Sequence, residues 1–347
     1  MRANYPFKFP AYNFQAAEPK LVAICLATLF SLLLAATLSP VARSQDKTSK
    51  RGAEDKKADK KADQKKDDDA LKLHSDLVVV NLIVTDAEGR YTHGLGLKDF
   101  NVTEDGTAQT VSDLITEEAS FAAAILIDMS GSMDYKFGLV RAAAASFLDH
   151  IRDNDQIAVY GFNNKIKMFQ DFTDLRDISE YVWDAKAEDT TRLYDCADEA
   201  LVAIEKRPEK RKAILLISDG WDTTSSKATF DSVMKKSLAA GVTIYTIDLI
   251  DNGLRVGSGS EMAGLRRGQA EMQEFALQTG GRYVHSPQGD KLEEAFTNIV
   301  EELRNQYTLI YYSSNQKRDG RWRKLNVSTS RPGLTTRSRK GYWAPRS

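Results

Sequence analysis

Two spacings of apolar residues alternate along the chain between positions 121 and 303. Short runs of consecutive apolar residues are followed by segments in which apolar residues recur every three or four positions. The runs are typical of buried strands, and the recurring spacing is typical of amphipathic helices. The predicted strands are one that begins at 121 and those at 156–162, 166–172, 213–217, 242–249 and 282–285, and the predicted helices are 137–151, 175–185, 193–205, 230–240, 271–278 and 292–303.

This order of elements predicts an α/β fold. Parallel strands need crossover connections, and the intervening helices can supply them while covering both faces of the sheet. Strands 156–162 and 166–172 are the exception, because the tight turn Asn163-Asn164 makes them antiparallel neighbours and places the second at an edge. We therefore predict a doubly wound, mainly parallel sheet, a class in which ligands bind beyond the carboxyl ends of the strands.

Strand patterns without helical spacing flank this region on both sides. Strands are predicted before it at 77–85, 100–104 and 109–115, and after it at 307–313, 322–330 and around 334–342. The polar and apolar alternation of 322–330 is typical of a half-buried strand. Too few strands precede the α/β region to close a sandwich, so we predict that both flanks combine into one small β-sandwich. The alternative is a tail that adds its strands to the α/β sheet.

The amino terminus has the pattern of an export signal. An apolar run at 21–38 follows Arg2, Lys8 and Lys20, and small residues surround the position before Gln45. Such a pattern predicts a secretory signal with cleavage before Gln45. The alternative is an uncleaved anchor over residues 21–38, because this run is close to the minimum length of a spanning helix, about 18–20 residues. Both alternatives place the remainder outside the cytoplasm, as a periplasmic or secreted protein.

The domain organisation follows from these patterns. We predict a signal peptide or anchor at 1–44, a charged disordered linker at 45–70, the first half of the β unit at 71–118, the α/β domain at 119–304 and the second half of the β unit at 305–347. The linker contains Lys, Asp and Glu in near balance and too few apolar residues to form a core.

Charge and cysteine content restrict the class of function. The formal net charge is -1, so no overall basic field indicates a nucleic-acid partner. A membrane contact is expected only through an uncleaved amino-terminal segment. Cys25 lies within the apolar run, which leaves Cys196 without an intramolecular disulfide partner after cleavage. We expect Cys196 to be a small buried residue on a helix, because no histidine spacing suggests a base for a catalytic thiol.

Candidate metal-binding chemistry begins where the first strand of the α/β region ends. Asp128, Ser130 and Ser132 alternate with Met129 and Gly131 on the loop that leaves this strand. Oxygen side chains at alternate positions can point into one volume, and hard divalent cations such as Mg²⁺ prefer oxygen ligands. The pattern alone is weak, since a turn that caps a helix through Ser or Asp would have the same sequence.

Two further polar positions are expected to lie near this loop in the folded chain. Thr191 lies just before the helix at 193–205, and Asp219 follows the strand at 213–217. If the first and fourth strands are neighbours, their carboxyl ends bring Asp128 and Asp219 together, and the loop with Thr191 can close over them.

These elements, in this order, resemble the metal-ion-dependent adhesion site of von Willebrand factor type A domains. The resemblance covers about 121–303. The segments 96–106 (GLKDFNVTEDG) and 339–342 (RKGY) also resemble flanking segments of bacterial exported proteins that carry such a domain. The resemblance implies that Ser130, Ser132 and Thr191 bind the ion, and that Asp128 and Asp219 act on it directly or through water. It also implies that one coordination position of the ion accepts a carboxylate from a partner protein. Mg²⁺ is the expected cation, with Mn²⁺ or Ca²⁺ as alternatives.

The chain departs from the family pattern immediately before the threonine. Asp189-Thr190 stands where relatives often have Gly-Gly, which leaves open whether Thr190 or Thr191 reaches the ion. Thr191 is better placed relative to the helix that follows. Two further carboxylates near the rim, Asp134 and Asp222, are expected to be solvated and not to bind the ion.

A long glycine-rich loop is predicted at 251–267, after the fifth strand of the α/β region. It leaves the carboxyl end of a parallel strand and should emerge on the same face as the metal site. Long loops in compact domains are often functional. We hypothesise that Arg255 and Arg266 border the ligand surface there, with a plain disordered insertion as the alternative.

The function predicted from these observations is that of a binding module and not of an enzyme. The expected protein is an exported, divalent-metal-dependent adhesion or assembly factor that captures an acidic side chain of a protein partner. One alternative is a Mg²⁺-dependent hydrolase on the same scaffold, but the motif offers hydroxyls where such chemistry needs a nucleophilic carboxylate and an acid/base pair. The other is a structural envelope protein with a vestigial site, which the intact motif disfavours.

Overall fold

The computed structural model describes residues 77–116, 119–136, 147–174, 190–250, 259–287 and 289–346, together with positions 138, 140 and 144. The predicted signal or anchor, the charged linker and the helix at 175–185 lie outside the described residues. Positions 138, 140, 144 and 147–149 are helical, within the helix predicted at 137–151. Among the described helices, none is long and apolar enough to cross a membrane.

A six-stranded sheet forms the centre of the α/β region, as predicted. Its strands are β5 (Phe121–Asp128), β6 (Gln156–Phe162), β7 (Ile166–Thr173), β8 (Arg211–Ser218), β9 (Thr243–Asp248) and β10 (Tyr283–His285). Their order in the sheet is β10-β9-β8-β5-β6-β7, and only β7 runs antiparallel to its neighbour, at one edge. The helices are α1 (Leu193–Glu205), α2 (Phe230–Ala240), α3 (Gly259–Thr279) and α4 (Asp290–Arg304). The mainly parallel, doubly wound sheet is therefore confirmed.

Apolar clusters cover both faces of the central sheet. All eight residues of β5 are buried, which is typical of a parallel strand covered on both sides. Its odd-numbered positions pack with α4 through Phe296 and Ile299, and its even-numbered positions pack with α1 through Cys196 and Leu201. Cys196 is a fully buried free thiol on a helix, as predicted.

The flanking segments form two four-stranded sheets. Their strands are β1 (Leu77–Thr85), β2 (Phe100–Glu104), β3 (Thr107–Gln109), β4 (Val111–Ile115), β11 (Tyr307–Tyr312), β12 (Trp322–Thr329), β13 (Thr335–Ser338) and β14 (Gly341–Trp343). The order of strands is β13-β1-β11-β4 in one sheet and β14-β12-β2-β3 in the other. Apolar residues of both sheets share one buried cluster, which includes Val80, Leu309, Val102 and Val327. The two flanks therefore combine in a β-sandwich, and no described strand of the tail pairs with the central sheet.

Two segments that were each predicted as one strand form two strands, and the two strands belong to different sheets. The segment 109–115 is divided between β3 and β4, with a break at Thr110. Likewise, the segment 334–342 is divided between β13 and β14. The predictions were wrong here because a chain that crosses from one sheet to the other keeps its extended backbone, so the local pattern carries little sign of the change.

The prediction of a long loop at 251–267 is also wrong for the second half of this segment, which is helical. Residues from Gly259 onward belong to α3, a helix of 21 residues that continues through the helix predicted at 271–278. Gly264 and Gly268 weaken the helical pattern in the sequence, but each faces a close neighbour in the fold, Trp221 and Gly220 respectively. Their packing role, and not backbone freedom, explains these glycines.

One buried arginine joins the segments that enter and leave the α/β region. Arg211 begins β8 and is fully buried. Its guanidinium donates hydrogen bonds to backbone carbonyls on both sides, those of Thr116, Ala119, Leu303, Arg304 and Gln306. A single side chain thus holds the two points where the chain passes between sandwich and central sheet. The exact domain boundaries at 118–119 and 304–305 remain predictions.

Candidate metal centre

The register of the central sheet positions the candidate site. β5 pairs in parallel with β8, with Ile127 opposite Ile217. Asp128 therefore ends β5 beside Ser218, and Asp219 follows directly on the neighbouring strand. The predicted adjacency of these two strand ends is present in the structure. It arises because β8, fourth of the α/β strands in the chain, inserts between β5 and β9.

Asp128 is the most buried acidic group of the site. Its side chain is fully buried and accepts hydrogen bonds from the backbone N–H of Ser130 (2.9 Å) and the hydroxyl of Ser218 (2.5 Å). Burial and then the negative charge of Asp219 raise the pKa of Asp128 to about 7. Two buried carboxylates at adjacent strand ends favour a proton or a cation between them.

Ser130 and Ser132 place hydroxyl groups next to this carboxylate. A short 3-10 helix, Gly131–Lys136, turns the chain immediately after β5. In this turn the hydroxyl oxygens of Ser130 and Ser132 lie 2.9 Å apart. Ser130 is buried, and Ser132 is partly exposed. The loop therefore presents two hydroxyls toward one point, the arrangement predicted from their alternate spacing.

Thr191 lies on a loop that is tied to the segment after Asp219. Its carbonyl oxygen accepts hydrogen bonds from the backbone N–H groups of Thr223 and Thr224, each at 3.0 Å. Its own N–H donates to the hydroxyl of Thr223 at 2.7 Å. Thr191 is buried, whereas Thr190 is partly exposed. These contacts support Thr191 over Thr190 as the threonine of the site, although its role as a ligand remains a proposal.

Asp219 lies in a tight turn packed against α3. Its carboxylate accepts a hydrogen bond from the N–H of Trp221 at 3.2 Å. Gly220 has a φ of +81°, a conformation that side chains disfavour. A Cβ atom at Gly220 would also overlap the backbone of Gly268 on α3. Only glycine at this position allows the Asp219 turn to approach the helix.

Sequence reasoning missed one residue that contacts a candidate ligand and one that holds the loop after Asp219. Ser218 donates a hydrogen bond to Asp128 and also accepts one from the N–H of Gly220 at 2.9 Å. Asp195 accepts hydrogen bonds from three consecutive backbone N–H groups, those of Ser226, Lys227 and Ala228. Ser218 could have been found from its position beside Asp219 on the same strand end. The role of Asp195 gave no local signal, because its three backbone donors lie more than 30 residues further along the chain.

Asp195 provides a testable prediction about the loop that follows Asp219. Burial opposes its ionisation, but the three backbone donors and Arg192, whose guanidinium lies 2.7 Å away, outweigh it and lower the pKa of Asp195 to about 2. We expect Asp195→Ala to lower the free energy of unfolding at pH 7 by about 2–3 kcal/mol. Because the ionised form is favoured only in the folded state, this difference should shrink as the pH falls from about 4 towards 2.

Urea unfolding at pH 7 and in this acidic range measures the effect. The matched control is Asp198→Ala on the same helix, which removes a partly exposed ion pair with Lys236. This control should cost less than about 1 kcal/mol, as surface ion pairs do. Equal losses for both variants would contradict the role given to Asp195.

The structure describes only some of the residues that were predicted to lie around the metal site. Asp222 is only partly exposed, and it accepts hydrogen bonds from the hydroxyl of Ser225 (2.5 Å) and the N–H of Tyr194 (3.4 Å). That it is solvated and does not bind the ion stays a prediction, although Ser225 in its own turn and Tyr194 on α1 also donate to its carboxylate. Arg266 is exposed on α3. The side chain of Asp134 and the whole of Arg255 lie outside what the structure describes.

The donor set fits a hard divalent cation better than a soft one. Carboxylate and hydroxyl oxygens suit Mg²⁺ and Ca²⁺, and no thiol or imidazole belongs to the candidate set. Within the described part of the chain, no cluster of three or more His, Cys, Asp or Glu side chains could hold a metal ion. A cation at this position would therefore depend on hydroxyl oxygens in addition to the two carboxylates.

Comparison with known proteins places this region in a family. The profile of the von Willebrand factor type A domain matches residues 124–298, about half of the chain, from within β5 into α4. The comparison with curated proteins gave no match.

Several solved structures share similarity at low identity. An aerotolerance-related membrane protein from Bacteroides fragilis is 17% identical, with a TM-score of 0.40, over 53% of this chain and 98% of its own. A von Willebrand factor type A protein from Catenulispora acidiphila is 13% identical, with a TM-score of 0.45, over 79% and 74% respectively. Proximal thread matrix protein 1 from the mussel byssus, with a zinc-occupied MIDAS motif, is 16% identical, with a TM-score of 0.45, over 58% and 50%.

Proposed function

Because the chain belongs to the von Willebrand factor type A domain family, whose members mostly act as non-enzymatic protein-interaction modules, we propose that it is an exported, divalent-metal-dependent protein-binding module. In this proposal it captures an Asp or Glu side chain of a partner protein at the carboxyl edge of the central sheet. Adhesion or assembly is the corresponding cellular role, in the periplasm or outside the cell.

One observation carries the proposal. Asp128 and Asp219 lie buried at adjacent strand ends, and the charge of the second opposes ionisation of the first. Keeping both carboxylates ionised in this position costs free energy that a bound cation would offset. A structural role alone would be served equally well by an amide at either position, without this cost.

The proposed ligands divide into two groups by chemistry. Asp128 and Asp219 supply negative charge, directly or through water, and Ser130, Ser132 and Thr191 supply neutral oxygens. With two carboxylates and three hydroxyls, a divalent cation keeps part of its positive charge and can accept a further carboxylate. Mg²⁺ is the proposed cation, with Mn²⁺ and Ca²⁺ as alternatives.

The surface around the site supplies selectivity in this proposal. Arg266 lies on the exposed side of α3 near its beginning, and Arg255 precedes that helix in the sequence. α3 also packs against the Asp219 turn through Gly268. Arginines beside the cation would favour partners with more than one acidic group.

Cation-dependent capture of partner proteins tests this function. The chain is immobilised and exposed to envelope proteins of its source organism, in Mg²⁺ and in EDTA. We expect partners that bind only in Mg²⁺, that fail to bind Asp128→Ala, and that lose binding when one of their own Asp or Glu residues is changed to the amide. The matched control is Asp171→Asn, an exposed carboxylate on edge strand β7. Recovery of the same partners with Asp128→Ala would refute the proposal.

A further inference from the structure

A groove lined by basic residues lies at the opposite end of the central sheet from the candidate metal centre. It has a volume of about 610 Å³ and runs between the end of α2 and the strands β1 and β14 of the sandwich. Because α2 ends where β9 begins, this groove faces the amino ends of the strands. We call it the basic groove. Its cationic lining residues are Lys235, Lys317, Arg318, Arg339 and Arg346, and no described Asp or Glu lines it.

The distribution of charge in the basic groove favours an anionic ligand. Arg339 is 7% exposed, whereas the other four cations are exposed. A concave surface that carries one sign of charge raises the local concentration of ions of the opposite sign. A volume of several hundred Å³ is typical of small-molecule sites in proteins. Both properties point to a compact anion and not to an extended surface.

Arg339 is the buried charge that such an anion would neutralise. Its guanidinium donates hydrogen bonds to the carbonyl oxygens of Leu238 (2.5 Å) and Val79 (2.8 Å). Its Nε has no hydrogen-bond partner among the described residues. Burial lowers the pKa of Arg339. The charge of Glu104, a buried carboxylate that accepts a hydrogen bond from Tyr342, opposes this lowering only in part. A ligand carboxylate would offset the remaining cost of burying the cation.

The remaining wall of the groove is apolar and aromatic. Tyr342 and Trp343 of β14 line it together with Val78 and Pro345. The guanidinium carbon of Arg339 lies 5.3 Å from the centre of the Tyr342 ring, and the ammonium of Lys235 lies 5.8 Å from that of Trp343. A bare inorganic anion would leave these apolar surfaces in water, whereas a ligand with an apolar body would cover them.

We propose that the basic groove binds a small organic anion that carries a carboxylate on an aromatic or aliphatic body. Arg339, with Lys317 and Arg346 at the rim, binds the carboxylate. Tyr342 and Trp343 contact the apolar body. The site is separate from the candidate metal centre, so binding requires no divalent cation.

Calorimetric titration of the full chain with 4-phenylbutyrate tests this inference. Saturable binding of 4-phenylbutyrate is expected in EDTA. The amide 4-phenylbutyramide, which has the same body without the charge, should bind at least about tenfold more weakly. Inorganic phosphate should not compete at equal concentration. Absence of saturable binding, or equal binding of the amide, would overturn the proposal. Phosphate that binds as tightly as 4-phenylbutyrate would overturn the assignment of the apolar wall.

Variants at the rim keep the test independent of folding. Lys317 and Arg346 are exposed, so the double variant Lys317→Ala/Arg346→Ala should fold normally and weaken binding of 4-phenylbutyrate about tenfold. Lys324→Ala, an exposed cation of β12 that does not line the groove, is the matched control and should bind unchanged. Arg339→Met should abolish binding, with circular dichroism as the check on its fold. Equal affinities for the double variant and its control would also refute the assignment.

Discussion

Mg²⁺ or Mn²⁺ should raise the thermal unfolding midpoint of this protein, and Asp128→Ala should remove that rise. A cation that binds only the folded state stabilises it by mass action, by about 2.7 kcal/mol at a hundredfold excess over the dissociation constant. For a domain of this size such a gain corresponds to roughly 5–10 °C. Differential scanning calorimetry in EDTA and in each cation measures it. If the cations do not raise the unfolding midpoint of the unmodified protein, called the parent below, the proposed metal site is without support.

A second substitution separates metal binding from folding. Asp128→Ala leaves the N–H of Ser130 and the hydroxyl of Ser218 without their acceptor, so it should lower the midpoint even in EDTA. Asp128→Asn keeps an acceptor and removes the repulsion from Asp219. We expect its midpoint in EDTA to be no lower than that of the parent, with no rise in Mg²⁺. A rise equal to that of the parent would show that Asp128 does not bind the cation.

The proton competes with the cation at the same site. Because the pKa of Asp128 is raised to about 7 without metal, the carboxyl is protonated below that pH and must lose its proton to accept a cation. The Mg²⁺-dependent rise should therefore be larger at pH 8 than at pH 6.

Arg211→Met should be the most destabilising single change outside the candidate site. The guanidinium donates to carbonyls on the segments that precede β5 and follow α4, at 3.0 Å for Arg304 and 2.5 Å for Gln306. Methionine fills similar space but leaves these buried acceptors without donors. Unpaired buried polar groups cost about 1–3 kcal/mol each, so we expect a loss of about 3–5 kcal/mol. The midpoint should fall by about 10 °C.

Urea unfolding followed by far-ultraviolet circular dichroism measures this loss. The matched control is Lys210→Met, an exposed cation directly before β8. Surface substitutions of this kind usually change stability by less than about 0.5 kcal/mol. A loss for Arg211→Met no larger than that of the control would mean that the carbonyls find other donors, and that Arg211 does not join the two segments.

Much of the fold could be predicted because its signals are local. The apolar run of β5, the helical spacing of α1 and α2, and the edge position of β7 all depend on residues within one element or one turn. Periodicity determines which face of an element is apolar, and the covering layers then follow from the need to bury that face. The bounds of β6, α1 and α2 match the prediction at both ends.

Most candidate ligands could also be predicted from the sequence, because their positions depend on single loops and strand ends. Asp128, Ser130 and Ser132 belong to one loop, and Asp219 follows a strand whose place in a doubly wound sheet could be inferred. The relation of Thr191 to Asp219 required the order of elements and the resemblance to a known family. The hydrogen bonds from the segment after Asp219 to Thr191 supply the physical connection.

The amino-acid sequence by itself determined the type and order of most elements and the loop that presents Asp128, Ser130 and Ser132. The tertiary structure alone decided which sheet each of the short strands β3, β4, β13 and β14 joins, because both sheets accept the same extended backbone. It also decided that α3 begins at Gly259, because Gly264 and Gly268 within this helix pack closely on Trp221 and Gly220 of the Asp219 turn. The roles of Arg211 and Asp195 in joining segments of the chain are visible only in the tertiary structure, since these buried polar groups have hydrogen-bond partners in segments distant in the chain.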